Sequence, residues 1–108
     1  MTPNETPTPT PTVIYWHRQL PPVSAEFVAE HTLEAASRRV PGNLAHRDEI
    51  WQQCHQDLMR VANDRLVQEV GRLVGKHAHV LHESIDTRHD EVAGEAWLHG
   101  VFDYALYR

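Results

Sequence analysis

A chain of 108 residues, 41% hydrophobic and 23% charged, is long enough for one modest hydrophobic core and too short for two domains. Its formal charge of -5 and its lack of any lysine or arginine cluster argue against nucleic acid as a partner. The sequence has no apolar run that would span a membrane and no basic and apolar signal segment, so we expect a cytoplasmic protein without a membrane partner.

The first twelve residues, MTPNETPTPTPT, are dominated by threonine and proline. Repeated prolines remove backbone donors and favour an extended chain, so residues 1–12 are predicted to form a disordered leader before a single domain at residues 13–108. Residues 13–17 combine β-branched and aromatic side chains and predict a short strand. Tyr15 and Trp16 then point to opposite faces, one toward the core and the other toward solvent or a partner.

Residues 27–40 fit two periodicities. A helix would be capped by Ser24 and would carry a solvated row of glutamates: Glu26, Glu30 and Glu34. A strand would line one face with alternating residues: Phe27, Ala29, His31, Leu33 and Ala35. Local propensity favours the helix, whereas a third strand would complete the usual minimum for an independent sheet, so the residues alone leave both open.

Residues 44–75 predict a long amphipathic helix. Apolar side chains recur every three or four positions along one face: Trp51, Cys54, Leu58, Ala62, Leu66, Val70 and Leu73. Asn43 is the expected N-cap, and Gly75 is the expected left-handed residue at the other end. Because the only cysteine, Cys54, lies on this face, we expect its thiol to be buried. One helix cannot bury its own stripe, so we expect this helix to lie across a sheet.

Two alternating segments, residues 77–84 and 96–108, predict an antiparallel pair of strands joined by a polar linker at residues 84–95. The even-numbered residues from Ala96 to Leu106 are the more apolar row and are expected to face the helix, while His77 and His79 face away from it. A loop centred on residue 90 would place His77 opposite Asp103 and His79 diagonal to His99. The predicted fold is therefore α+β, with one long helix packed on a small, mainly antiparallel sheet.

The order of elements resembles the YbjQ-like family, often described as a putative heavy-metal-binding domain. The resemblance covers residues 27–108 and depends on that order and on the Leu-x-Gly-x-x-Ala-x-Val run from Leu73 to Val80. It implies that residues 27–40 form a strand, which gives the order β-α-β-β after the short extra N-terminal strand, and that ring-like homo-oligomers form. The chain has no cysteine in its predicted strands, so the resemblance does not extend to soft-metal thiolate chemistry.

Four residues on the strand face turned away from the helix form a candidate metal site: His77, His79, His99 and Asp103. Alternation puts the first two imidazoles on one face about 7 Å apart, a separation at which both can bind one divalent ion. The other two residues would complete a nitrogen and oxygen set suited to Zn, Ni or Cu. The alternative is that these histidines are solvated or lie at a subunit contact.

Among functional classes, the leading hypothesis is a small non-enzymatic domain that self-associates or binds an unidentified small ligand. Its basis is the second row of the last strand, which is more apolar than a small solvated sheet requires: Trp97, Val101, Ala105 and Tyr107. One alternative is the divalent metal module described above. The other is a small enzyme with acid and base residues in the linker: Asp86, His89, Asp90 and Glu91.

Overall fold

The structure, a computed structural model, describes residues 12–108, so the predicted leader lies outside the described residues except for Thr12. The secondary structure consists of five strands, a short 3-10 turn and one long helix: β1 (Val13–Trp16), β2 (Phe27–Ala36), β3 (Val40–Pro41), the turn Gly42–Leu44, α1 (Asp48–Arg72), β4 (His77–Asp90) and β5 (Glu95–Tyr107). Among residues 12–108, no helix combines the length and the apolarity that crossing a bilayer requires.

The strands form one mixed sheet with the order β1-β4-β5-β2, and β3 continues the edge of the sheet by pairing with β5. β1 runs parallel to β4, whereas β2, β3 and β4 all pair with β5 in antiparallel fashion. The helix packs on one face of this sheet, which confirms the predicted α+β class. Trp16 lies on the helix side with its ring 6.1 Å from that of Phe102, while Tyr15 lies on the opposite face beside His77.

Residues 27–36 are a strand, as the resemblance implied. Long-range pairing with β5 outweighs the local helix preference, because it buries Leu33 and Ala35 against the helix side of the sheet. The prediction for Phe27 is wrong. A β-bulge between Phe27 and Ala29 shifts the alternation by one residue, so Phe27 pairs with Tyr107 on the face away from the helix.

The predicted apolar stripe of the helix is confirmed. Five of its members have no solvent exposure: Cys54, Leu58, Ala62, Leu66 and Val70. The helix begins later than expected, at Asp48 with Arg47 as N-cap, because residues 42–44 form a separate 3-10 turn that contains the expected cap Asn43. Arg47 makes no side-chain cap bond, and Asp48 and Glu49 in the first turn complement the helix dipole instead.

The end of α1 is a Schellman turn, but its left-handed residue is Val74 and not the predicted Gly75. The Gly75 amide donates to the Val70 carbonyl at 2.8 Å, the Val74 amide donates to the Gly71 carbonyl at 3.2 Å, and Val74 has φ 58°. Gly75 is required for a different reason, because a Cβ there would lie 2.5 Å from Leu106 Cδ1 and 3.1 Å from the Tyr107 carbonyl oxygen. The left-handed position is thus held by Val74, a β-branched residue, and it is strained.

Replacing Val74 with glycine is expected to stabilise the protein by about 1 kcal/mol, since relief of the left-handed strain exceeds the entropy that glycine loses on folding. Val74 is 77% exposed, so little burial is lost. Urea unfolding of Val74→Gly is the measurement. The control is Val92→Gly, at a valine that is even more exposed and is not among the positive-φ residues, and it should not stabilise. A lower midpoint for Val74→Gly would contradict this account.

Asp57 joins α1 to the chain that follows β2. Its carboxylate accepts the Arg38 backbone N–H at 2.6 Å and an Arg60 guanidinium N–H at 2.7 Å. The bond from Arg60 is the main cause that lowers the pKa of Asp57, and the Arg38 amide adds to it against the opposing effect of burial. The ionised carboxylate is therefore the form that stabilises the fold.

We expect Asp57→Asn to destabilise the protein at pH 7 by about 1 kcal/mol, because the amide is a weaker acceptor for both donors. A lowered folded-state pKa means that the contribution is complete above the unfolded value near 3.9 and is lost as pH falls through the folded value. The difference between variant and wild type should therefore shrink in urea unfolding series run from pH 7 to pH 3. Asp64→Asn is the control, since Asp64 is exposed and lies 3.6 Å from Arg60. A difference independent of pH would contradict this assignment.

The predicted linker at residues 84–95 is mostly strand. β4 continues to Asp90, and a four-residue turn leads into β5 at Glu95. The Asp90 carboxylate accepts the amides of Val92 and Ala93 at 3.1 Å each, and Gly94 closes the turn at φ 67°. A charged segment thus extends the hairpin well beyond the predicted end of β4.

Candidate functional site

Within residues 12–108, no helix lies over the sheet face turned away from α1, and this face carries most of the residues singled out in the sequence. At one end, four side chains from four adjacent strands stand side by side across this face: Val13, His77, Tyr107 and Phe27. We call this set the apolar row. Beside it lies a second row with the same strand order: Tyr15, His79, Ala105 and Glu30.

Two aromatic edge contacts lie at this end of the face. Within the apolar row, the rings of Phe27 and Tyr107 are 5.9 Å apart, and the Tyr15 ring of the second row lies 5.8 Å from the ring of His77, both in edge-to-face geometry. Phe27 remains 54% exposed and Val13 38% exposed. The row is therefore ordered by aromatic contacts, yet it still presents apolar surface to solvent.

His79 is a structural residue of this face. It is 6% exposed, and its Nε2 lies 2.6 Å from the His17 carbonyl oxygen, which requires Nε2 to carry the proton and donate. His17 adopts a left-handed φ of 51° in the turn after β1, a conformation that histidine tolerates better than most residues. On the neighbouring His77, Nδ1 is buried and has no hydrogen-bond partner within residues 12–108.

The predicted register between the last two strands is wrong, and the four proposed metal ligands do not come together. His77 pairs with Tyr107 and His79 with Ala105, whereas Asp103 pairs with His82. The shift arises because the turn occupies residues 91–94 and is not centred on residue 90, while the bulge at Leu81 changes the partners of residues 77–80 by one position.

His99 and Asp103 have other partners in the structure. Asp103 accepts the Thr32 hydroxyl at 2.8 Å. His99 pairs with Asp86, whose carboxylate lies 3.5 Å from Nδ1, and the Glu34 carboxylate lies 3.7 Å from Nε2. Within the described part of the chain, no group of three or more His, Cys, Asp or Glu side chains has a geometry that would hold a metal ion.

The far end of the same face is covered by an arginine. The Arg39 guanidinium lies 4.1 Å from the ring centre of Trp97, within cation–π range, and 3.6 Å and 3.8 Å from the carboxylates of Asp90 and Glu95. Trp97 therefore has a partner within its own chain. Two of the exposed large apolar side chains, Phe27 and Val13, belong to the apolar row.

The acid and base residues expected in a loop lie elsewhere. Asp86, His89 and Asp90 belong to β4, and Glu91 alone lies in the turn. Asp86 is paired with Arg88 at 3.1 Å, and Asp90 holds the turn amides. A catalytic loop at residues 86–91 is thus replaced by a strand whose carboxylates already have partners.

Two members of the apolar row were missed from the sequence. Simple alternation puts Phe27 on the same face as Leu33 and Ala35, whereas the bulge turns it to the other face, and the sequence indicates for Val13 only that it belongs to a short strand. No local signal marks a bulge at Val28, whereas the alternation of residues 13–16 does place Val13 and Tyr15 on one face.

Comparison of the chain with protein-family models, with curated proteins and with solved structures finds no match. The strand that the YbjQ-like resemblance implied at residues 27–40 is present over Phe27–Ala36. Membership of that family stays a prediction.

His99 pairs with Asp86, well along the sheet from His77 and His79, so we predict that zinc affinity does not depend on His99. Titration calorimetry with zinc should give the same isotherm for wild type and for His99→Ala. The double variant His77→Ala/His79→Ala is the matched control, because it removes imidazoles at the other end of the face. Loss in His99→Ala of a site tighter than roughly 10 μM would show that the four residues act together after all.

Proposed function

We propose that this protein is a small self-associating domain in which a second copy of the chain covers the apolar row. The observation that carries the proposal is the row itself, because it spans four strands on the face that α1 leaves uncovered and still exposes Phe27 and Val13. Exposed apolar side chains grouped on an ordered surface are typical of interfaces.

The row is self-complementary. A two-fold axis parallel to the strands, between β4 and β5, would place Val13 of one copy over Phe27 of the other and His77 over Tyr107. Each contact would occur twice, and each would pair an apolar or aromatic side chain with another.

The neighbouring polar residues fit the same arrangement. The axis would bring Tyr15 of one copy over Glu30 of the other, a phenol donor over a carboxylate acceptor. It would also bring His82 of one copy over Asp103 of the other. Within one copy, these two residues pair across β4 and β5. Like charges would therefore not oppose one another in these two rows, which favours a second copy as the occupant.

Assembly through strand edges is the second candidate. Within residues 12–108, no strand pairs with the outer edge of β2, and β1 covers β4 only as far as Val80. Beyond that point the β4 edge is strongly charged, with Glu83, Asp86, Arg88 and Asp90, a pattern that opposes edge pairing. The edges support the ring-like assembly that the family resemblance implies, but the face is the better supported surface.

Light scattering tests the proposal. The wild-type chain should show a mass that rises with concentration toward a dimer by about 100 μM, and Phe27→Glu should weaken association at least tenfold, since it places a carboxylate in the centre of an apolar contact. Phe27 is half exposed and outside the core, so the variant should keep its fold, which circular dichroism checks.

Val67→Glu is the matched control, because Val67 is 38% exposed on α1 and far from the row. It should associate like wild type, and so should a chain that begins at residue 12. A clean monomer at about 100 μM for the wild type would contradict self-association. Equal loss in Phe27→Glu and Val67→Glu would contradict the assigned surface.

A further inference from the structure

A second surface feature lies on the opposite side of the sheet, where the C-terminal half of α1 passes over the edge strand β2. It is an open recess of about 500 Å³ whose lining is mostly polar and includes Leu33 as its one apolar residue, with eight polar residues: His31, Thr32, Glu34, Arg65, Gln68, Glu69, Arg72 and Tyr104. The apolar stripe drifts around α1 along its length, so arginines and a glutamate reach the margin of the core at this end. The recess shares no residue with the apolar row.

Arg65 is the one of the two lining arginines that makes no salt bridge within residues 12–108. One of its guanidinium N–H groups donates to the Glu34 backbone carbonyl at 2.6 Å, which holds the side chain against the β2 edge. A carbonyl oxygen does not neutralise the guanidinium, and its other N–H groups remain available as donors. Arg65 is thus a positioned cation.

Arg72 and Glu69 form the opposite wall. Two guanidinium N–H groups of Arg72 donate to Glu69 Oε2, at 3.0 Å and 2.6 Å. The recess is lined by two arginines and two glutamates, and the Glu34 carboxylate lies 3.7 Å from His99 Nε2. Arg72 is neutralised by Glu69, whereas Arg65 makes no salt bridge within residues 12–108. Arg65 is therefore the lining cation that is left to pair with a ligand.

Tyr104 forms the floor. Its ring is buried, with 1% of the residue exposed, and it stacks 5.7 Å from the His31 ring. Burial raises the pKa of the Tyr104 hydroxyl, and the Glu69 carboxylate raises it further. The phenol therefore stays protonated at neutral pH and is available as a donor at the bottom of the recess.

We propose that this recess binds a small organic oxyanion, a carboxylate or a phosphate ester, with Arg65 as its charge partner and Tyr104 as its hydroxyl donor. Guanidinium groups match the planar, two-oxygen geometry of these anions, and donors from a helix and two strands converge on one volume. His31 adds an imidazole at the rim. The volume admits a ligand larger than the anionic group alone.

Nitrogen-15 NMR titration of the full chain with inorganic phosphate and, separately, with succinate tests the proposal. We expect saturable shifts at the amides of His31, Arg65 and Tyr104, with a dissociation constant of about 1–10 mM for at least one probe. Saturation by phosphate alone assigns a phosphate-type ligand, and saturation by succinate alone assigns a carboxylate.

Two variants and their matched controls locate the site. Arg65→Gln should weaken binding at least tenfold, whereas Arg60→Gln, on the same helix but paired with Asp57 and Asp64, should not change it. Tyr104→Phe should weaken binding severalfold, and Tyr107→Phe on the opposite face should leave it unchanged. Absence of saturation with both probes up to about 50 mM would overturn the proposal, as would equal weakening by Arg65→Gln and Arg60→Gln.

Discussion

The contact between α1 and the two central strands organises the molecule. Leu58, Leu66 and Val70 of the helix have no exposure and belong to one cluster with Phe102 and Leu106 of β5. At about 1.5–3 kcal/mol for each large apolar side chain, this burial is the main favourable term that offsets chain entropy. A single helix has one such stripe, so it covers one face of the sheet and leaves the other without a partner.

Both proposed surfaces follow from that constraint. On the uncovered face, β1 and the bulge in β2 add Val13 and Phe27 to side chains from β4 and β5, which makes an apolar row at one end. On the covered face, α1 is narrower than the sheet, and its drifting stripe places Arg65 where the helix crosses the β2 edge. We propose the first surface for a second copy of the chain and the second for a small anion, and the two share no residue.

The sequence predicted those features that repeat over many residues. The spacing from Trp51 to Leu73 determined the helix and its buried face, and the alternation in β5 assigned Phe102, Tyr104 and Leu106 to the core. The local sequence could not decide between strand and helix for β2, because the strand depends on pairing with β5, some seventy residues later along the chain.

The sequence did not predict the register between β4 and β5 for a related reason. The turn closed by Asp90 and Gly94 sets the pairing of β4 with β5, and a bulge at Leu81 then shifts the partners of residues 77–80 by one position. The histidines were assigned correctly to the outer face, but their neighbours were not. This error assembled a four-ligand site from His77, His79, His99 and Asp103 that the folded sheet divides between two places. A bulge also hid Phe27, the most exposed member of the apolar row.

The most direct measurement of the central claim is the concentration dependence of amide chemical shifts. Spectra recorded from about 10 μM to 1 mM should show shifts or broadening at Val13, Phe27, His77 and Tyr107, with no change on the exposed side of α1, because a second copy would cover only the outer face. Spectra that do not change with concentration, or changes confined to α1, would contradict self-association through the apolar row.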